Sequence, residues 1–75
     1  MQLEMNEREK EVAEMIVELG KDLNRNGEQL STSGIQRRLK LGYNRTAEVV
    51  QKMSLVGMLD NIEVNENIKA LCAKI

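Results

Sequence analysis

Seventy-five residues with no Trp, Phe, Pro or His and a net charge of −1 describe one small domain with an aliphatic core. Without histidine there is no ready general base or zinc site, and the single Cys72 excludes an internal disulfide. The carboxylates fall at solvated spacings, so neither an enzyme nor a metal or cofactor is expected. No run approaches the roughly 20 apolar residues of a membrane span, and the N-terminus does not read as a signal peptide, so a reducing cytoplasm is the expected setting.

The near-neutral total hides a segregation of charge. Residues 1–30 carry eight acids against four bases, a net of −4. Residues 31–56 carry Arg37, Arg38, Lys40, Arg45 and Lys52 against Glu48 alone, a net of +4. For meeting a phosphate backbone the local field matters more than the sum.

The first helix is predicted to start at Asn6, because Asn6 with Glu9 three residues on forms a capping-box pattern. Val12, Met15, Ile16, Leu19 and Leu23 then recur at three- and four-residue steps, which marks the buried side. Asn24-Arg25-Asn26-Gly27 is a turn in which Gly27 takes a left-handed conformation, and Glu28-Gln29-Leu30 is a candidate edge strand. Ser31 to Ser33 supplies hydroxyls for a second helix start, with Ser33 and Gln36 as a further capping-box candidate. Ile35 and Leu39 give that helix its apolar side, and Gly42 is expected to end it in a left-handed conformation. A third helix follows with Asn44 as its cap and Ala47, Val49, Val50, Met53 and Val56 as apolar positions; Gly57 ends it.

Beyond Gly57, Met58-Leu59 and Ile62-Glu63-Val64 read as two strands joined by Asp60-Asn61, which would make a very short wing. From Asn65, a plausible cap, Ile68, Leu71, Cys72 and Ile75 have the spacing of a fourth helix. The predicted class is therefore mainly α: one domain over 1–75 with a helix-turn-helix at about 31–56. It would be a winged helix with a much shortened wing and an extra C-terminal helix.

Gln36-Arg37-Arg38 followed by Leu41-Gly42-Tyr43-Asn44-Arg45, within residues 31–59, resembles the gamma domain of FtsK-type DNA translocases. The resemblance implies a winged helix that recognises short, oriented DNA sequences and also contacts a tyrosine recombinase. Thr46 stands where that family usually has Ala, and Glu48 where it often has a base. The family's longer basic wing is reduced here to about Asp60-Asn61, and the fourth helix is not part of the family pattern. These 75 residues contain no GxxxxGK[ST] phosphate loop, so this stretch has no motor of its own.

The third helix is expected to enter the major groove. Asn44 and Arg45 are the candidates for reading bases, with Thr46 and Glu48 beside them; an Arg bidentate to guanine typically gives about 1–3 kcal/mol of discrimination. Each has a plainer role open to it. Asn44 can simply cap, Arg45 and Thr46 can simply be solvated, and Glu48 can pair with Lys52 four residues on. Arg37, Arg38, Lys40, Lys52 and Tyr43 are the phosphate candidates, although Tyr43 can equally anchor the core with its hydroxyl at the rim.

Leu55 falls on the outward side of the third helix. With Ile68, Leu71 and Ile75 it suggests a subunit interface, so a homodimer on a two-fold site is expected. Cys72 reads as a small buried hydrophobe. Together these features predict sequence-specific binding of double-stranded DNA by a small stand-alone protein, either a transcriptional regulator or a DNA-site recognition module. The rival expectation is a protein-interaction module that contacts a recombinase or another host protein without reading DNA.

Overall fold

A computed structural model describes residues 4–73. Four helices follow one another: α1 (Glu7–Arg25), α2 (Thr32–Leu39), α3 (Tyr43–Leu55) and α4 (Glu66–Ala73). α3 lies at the centre and packs against the other three, while α1 also meets α2. The predicted mainly helical class, the helix-turn-helix and the additional C-terminal helix are all present. No helix among the described residues is long and apolar enough to cross a membrane.

Local hydrogen bonding explains where the helices begin. The Asn6 side chain accepts from the Glu9 amide at 2.8 Å, and the Asn6 amide donates to Glu9 Oε1 at 3.1 Å, closing the predicted capping box. Asn65 Oδ1 accepts from the Ile68 amide at 3.2 Å and so caps α4 as expected. At α2 the cap is Ser31, whose hydroxyl accepts from the Gly34 amide at 3.0 Å. Ser33 lies inside the helix, so the second capping box does not form.

The elbow between α2 and α3 also differs from expectation. α2 ends on Lys40, which takes the left-handed conformation itself at φ 56°, ψ 44°. Gly42 is extended at φ −72° and is the cap of α3, so Asn44 sits inside the first helical turn and caps nothing. The left-handed glycines are Gly27 and Gly57, as the turn chemistry predicted.

No wing hairpin forms. Residues 56–62 are a run of tight turns, with the Met58 amide donating to the Met53 carbonyl at 2.9 Å and the Ile62 amide to Leu59 at 3.1 Å. Leu59 and Ile62 sit three residues apart and both turn inward, which is the spacing of a helical turn rather than of a strand. Ile62 closes against Gly20 on α1, where a Cβ would stand 2.8 Å from its Cγ2. The expected strand at 28–30 is reduced to one parallel bridge between Leu30 and Val64. It is held by the Leu30 amide on the Glu63 carbonyl (3.0 Å) and the Asn65 amide on the Leu30 carbonyl (2.9 Å). Asn24 clamps the same crossing: its side chain donates to the Glu28 and Glu63 carbonyls and accepts from the Glu63 amide.

The core comprises Ala13, Ile16 and Leu19 of α1, Leu30, Ile35 of α2, Val49, Val50 and Met53 of α3, the turn residues Leu59 and Ile62, and Ile68 and Leu71 of α4. Ile68 and Leu71 are therefore spent on the domain's own interior and are not available to a second subunit. Gln51 reinforces that packing by donating to the Leu71 carbonyl at 3.1 Å. Ile75, the remaining C-terminal interface candidate, lies outside the described residues. Cys72 is half-buried against the core.

Candidate nucleic-acid interface

The basic residues of the middle segment divide into two groups. Arg37 and Arg38 in the last turn of α2, Lys40 in the elbow and Arg45 in the first turn of α3 are all exposed. None of the four makes an ion pair among the described residues. Arg37 and Arg38 border a shallow groove with Gly34 and with Leu19 and Leu23 of α1. Leu39 and Leu41 border a neighbouring groove with Arg8, Glu11, Val12 and Met15. Arg8 is thus an exposed cation next to the elbow that the sequence reading passed over, because it is buried in the count of a mostly acidic helix.

Lys52 belongs to the second group, and the structure removes it from the phosphate candidates. It is buried, with its ammonium 2.8 Å from Glu9 Oε2 and 3.5 Å from Glu48 Oε1. The predicted Glu48–Lys52 pair exists, but Glu9 is the closer partner. That hydrogen bond is the main cause of a raised Lys52 pKa, and it lowers the pKa of Glu9, assisted by the Asn6 amide. The positive charge of Arg45 also acts, weakly, to lower the Glu9 pKa.

Thr46 is likewise withdrawn as a base reader. Its side chain is fully buried, and its hydroxyl donates to the Gly42 carbonyl at 3.0 Å. A Thr hydroxyl folded back onto the carbonyl four residues earlier has no donor left for a ligand. Tyr43 departs from the core-anchor reading in the opposite direction, being 52% exposed at the first position of α3. It shares an open groove of about 290 Å³ with Thr32 and with Asn67, Ala70 and Leu71 of α4. In space, α4 therefore flanks the start of α3.

Asn44, Glu48 and Leu55 are exposed and recur at four- and three-residue steps, forming the outward face of α3 with the half-buried Gln51. Gly42 supplies no side-chain cap, so the amides of the first turn keep their donors and Asn44 keeps its whole amide group. The start of α3 thus offers amide donors, an uncommitted carboxamide and a guanidinium at the positive end of a helix. Such a surface can donate to phosphate oxygens and to base edges.

The FtsK gamma domain model matches residues 6–67. The chain is 37% identical over 41 residues to the DNA translocase FtsK of Pseudomonas syringae pv. tomato (strain ATCC BAA-871 / DC3000), and equally to that of pv. syringae (strain B728a). The match covers 55% of this chain but only 5% of either relative, so the chain spans a small part of the translocases it is similar to. No solved structure matches it. With most of its length under the family model, the chain belongs to the FtsK gamma domain family.

Proposed function

We propose that this domain binds double-stranded DNA in a sequence-dependent manner, with the first turn of α3 directed into the major groove. Asn44 and Arg45 read base edges, and Glu48, on the outward face, accepts from a cytosine amino group where one is present. Arg37, Arg38 and Lys40 contact phosphates and set the register, and the exposed Tyr43 hydroxyl donates to a neighbouring phosphate. The observation that carries this reading is the set of four exposed cations within residues 37–45, around the elbow that precedes α3, none of which makes an ion pair among the described residues. Family membership and the relatives' title of DNA translocase support it.

The reading is of a recognition module. A role in transcription and a role in marking chromosomal sites both rest on this contact, and the position of the bound sequence decides between them. With no wing hairpin and two of the expected contacts withdrawn, affinity should be modest and strongly salt-dependent. A gel shift on random duplex at low salt, followed by selection of bound sequences from a random pool, tests the proposal. A shift that weakens steeply with salt and a recovered consensus are expected. The absence of any shift at tens of micromolar protein, against a working control, overturns it.

A further inference from the structure

α1 has a second exposed side that the helix-turn-helix does not use. Glu7, Glu11, Glu14 and Glu18 recur at four- and three-residue steps and so form one stripe along the helix. Glu7 pairs with Lys10 at 3.8 Å, whereas Glu11, Glu14 and Glu18 have no ion-pair partner among the described residues. Next to this stripe, the turn that follows α3 rises against α1. Two adjoining hollows of about 600 and 280 Å³ share Glu14 and Met58 and so form one groove. Met5, Met15, Val17, Val56 and Met58 make its floor, and its rim carries Glu11, Glu14 and Glu18 with one cation, Lys10, which is paired with Glu7.

An apolar floor bounded by carboxylates repels phosphate, so nucleic acid is the wrong occupant. A symmetric dimer through this face is also disfavoured, because a two-fold axis would set one acidic stripe against its copy. The complementary chemistry is an amphipathic helix carrying Lys or Arg at the edges of its apolar side, which fills the floor while its cations meet the rim. Between Glu7 and Glu18 the stripe runs about 16 Å, enough for roughly three turns of such a helix.

The groove meets a different side of α1 from Arg37 and Arg38, which border the helix at Leu19 and Leu23, whereas the groove runs along Glu14, Val17 and Glu18. Its edge at Glu11 and Met15 adjoins the hollow that Leu39 and Leu41 border at the elbow. We propose that the groove between α1 and the turn after α3, rimmed by Glu11, Glu14 and Glu18, docks a basic amphipathic helix of a partner protein. The domain would then hold that helix on one side of α1 while Arg37, Arg38 and the start of α3 remain open.

The test uses isotope-labelled protein and a synthetic Leu/Lys amphipathic peptide about 14 residues long, with a scrambled peptide of the same composition as control. Backbone NMR shifts are expected at residues 10–18 and 56–58, with the ordered peptide binding about tenfold more tightly than the scrambled one. Glu14→Lys/Glu18→Lys is expected to weaken the peptide about tenfold or more without weakening random duplex. Val56→Ser should weaken the ordered peptide but not the scrambled one. Glu14→Gln/Glu18→Gln serves if the charge reversal disturbs the fold, as read by circular dichroism. Equal binding of the two peptides, shifts centred on residues 37–45, or insensitivity to the Glu14 and Glu18 variants overturns the proposal. Self-association that those variants abolish also overturns it, since the occupant would then be a second copy. The titration contains no DNA, so a negative gel shift leaves its outcome intact.

Discussion

The Glu9 carboxylate and the Lys52 ammonium meet at 2.8 Å across 43 positions of chain, each side chain only 8% exposed. Glu9 Oε1 closes the capping box at Asn6 while Oε2 takes the lysine, so one carboxylate ties the start of α1 to the middle of α3. Glu48 lies 3.5 Å from the same ammonium and is held beside it. Although Lys52 touches no phosphate in the proposed complex, it neutralises two acids next to the DNA-reading face.

Truncating either partner should destabilise the domain, but not equally. Glu9→Gln can keep the capping-box hydrogen bond through its one amide oxygen, which turns its NH2 towards the Lys52 ammonium, but Lys52 keeps Glu48, so its cost should be the smaller. Lys52→Met leaves two carboxylates with only Arg45 nearby, one of them buried. Thermal unfolding is expected to rank the variants as wild type, Glu9→Gln, then Lys52→Met, with the double variant more stable than Lys52→Met alone. A double variant showing the full sum of the single losses would mean that the pair is not coupled.

The same pair should shape stability against pH. The folded pKa of Glu9 lies below its ordinary 4.5, so its contribution is complete above 4.5 and is lost as pH falls through the folded value. The folded pKa of Lys52 lies above its ordinary 10.5, so its contribution is complete below 10.5 and is lost as pH rises through the folded value. The difference in melting temperature between wild type and Glu9→Gln should therefore be flat through neutral pH and shrink on acidification. A difference that grows towards acid would contradict the assigned direction.

What the sequence revealed tracks the range of each interaction. The caps at Asn6 and Asn65 were legible because a side chain and the amide three residues on settle them locally. The burial of Lys52 was not, since the local cues gave only the Glu48 pair and the Asn6 capping box, and the contact that joins Glu9 to Lys52 spans 43 positions. At the elbow, glycine chemistry pointed to Gly42 for the left-handed position, yet the helix ends two residues earlier on Lys40. Residues 58–64 fit a strand pair or a set of turns equally well by pattern, and the inward Leu59 and Ile62 decided for turns. Ile68 and Leu71 were visible as an apolar stripe, but a stripe does not say which surface covers it, and here the domain's own α3 does.

Gly20 lets Ile62, in the turn after α3, close against α1. Alanine ordinarily improves a helix interior by about 1 kcal/mol over glycine. Here the new Cβ would stand 2.8 Å from Ile62 Cγ2 and 3.2 Å from Cδ1, contacts with a buried, branched side chain that has little room to yield. Overpacking of this kind costs about 1–3 kcal/mol, so Gly20→Ala should lose about 1 kcal/mol net. That corresponds to a fall of roughly 4–8 °C in melting temperature, and a rise would show that Ile62 repacks freely.

Lys40 combines a strained backbone with a proposed phosphate contact, and glycine separates the two. A non-glycine residue in the left-handed region costs about 1–2 kcal/mol, offset in part by the greater freedom of glycine in the unfolded chain, about 0.4–1 kcal/mol. Lys40→Gly should therefore keep its folded stability or gain about 0.5 kcal/mol. Its affinity for every duplex should fall, with the salt dependence reduced by about one counterion. Unchanged affinity in a variant at least as stable as wild type would remove Lys40 from the interface.

Arg45 should behave differently from Lys40 if bases and phosphates are read by different residues. Arg45→Ala is expected to weaken the preferred duplex by about 1–3 kcal/mol while leaving random duplex within about twofold, because a lost base contact erases discrimination rather than charge attraction. Arg45 lies near Glu9, so the variant's melting temperature must be measured alongside. A loss in affinity that tracks the loss in stability would assign Arg45 to the fold. Equal weakening on preferred and random duplex, with stability intact, would make Arg45 a phosphate contact and leave the reading of sequence to Asn44 and Glu48 on the outward face of α3.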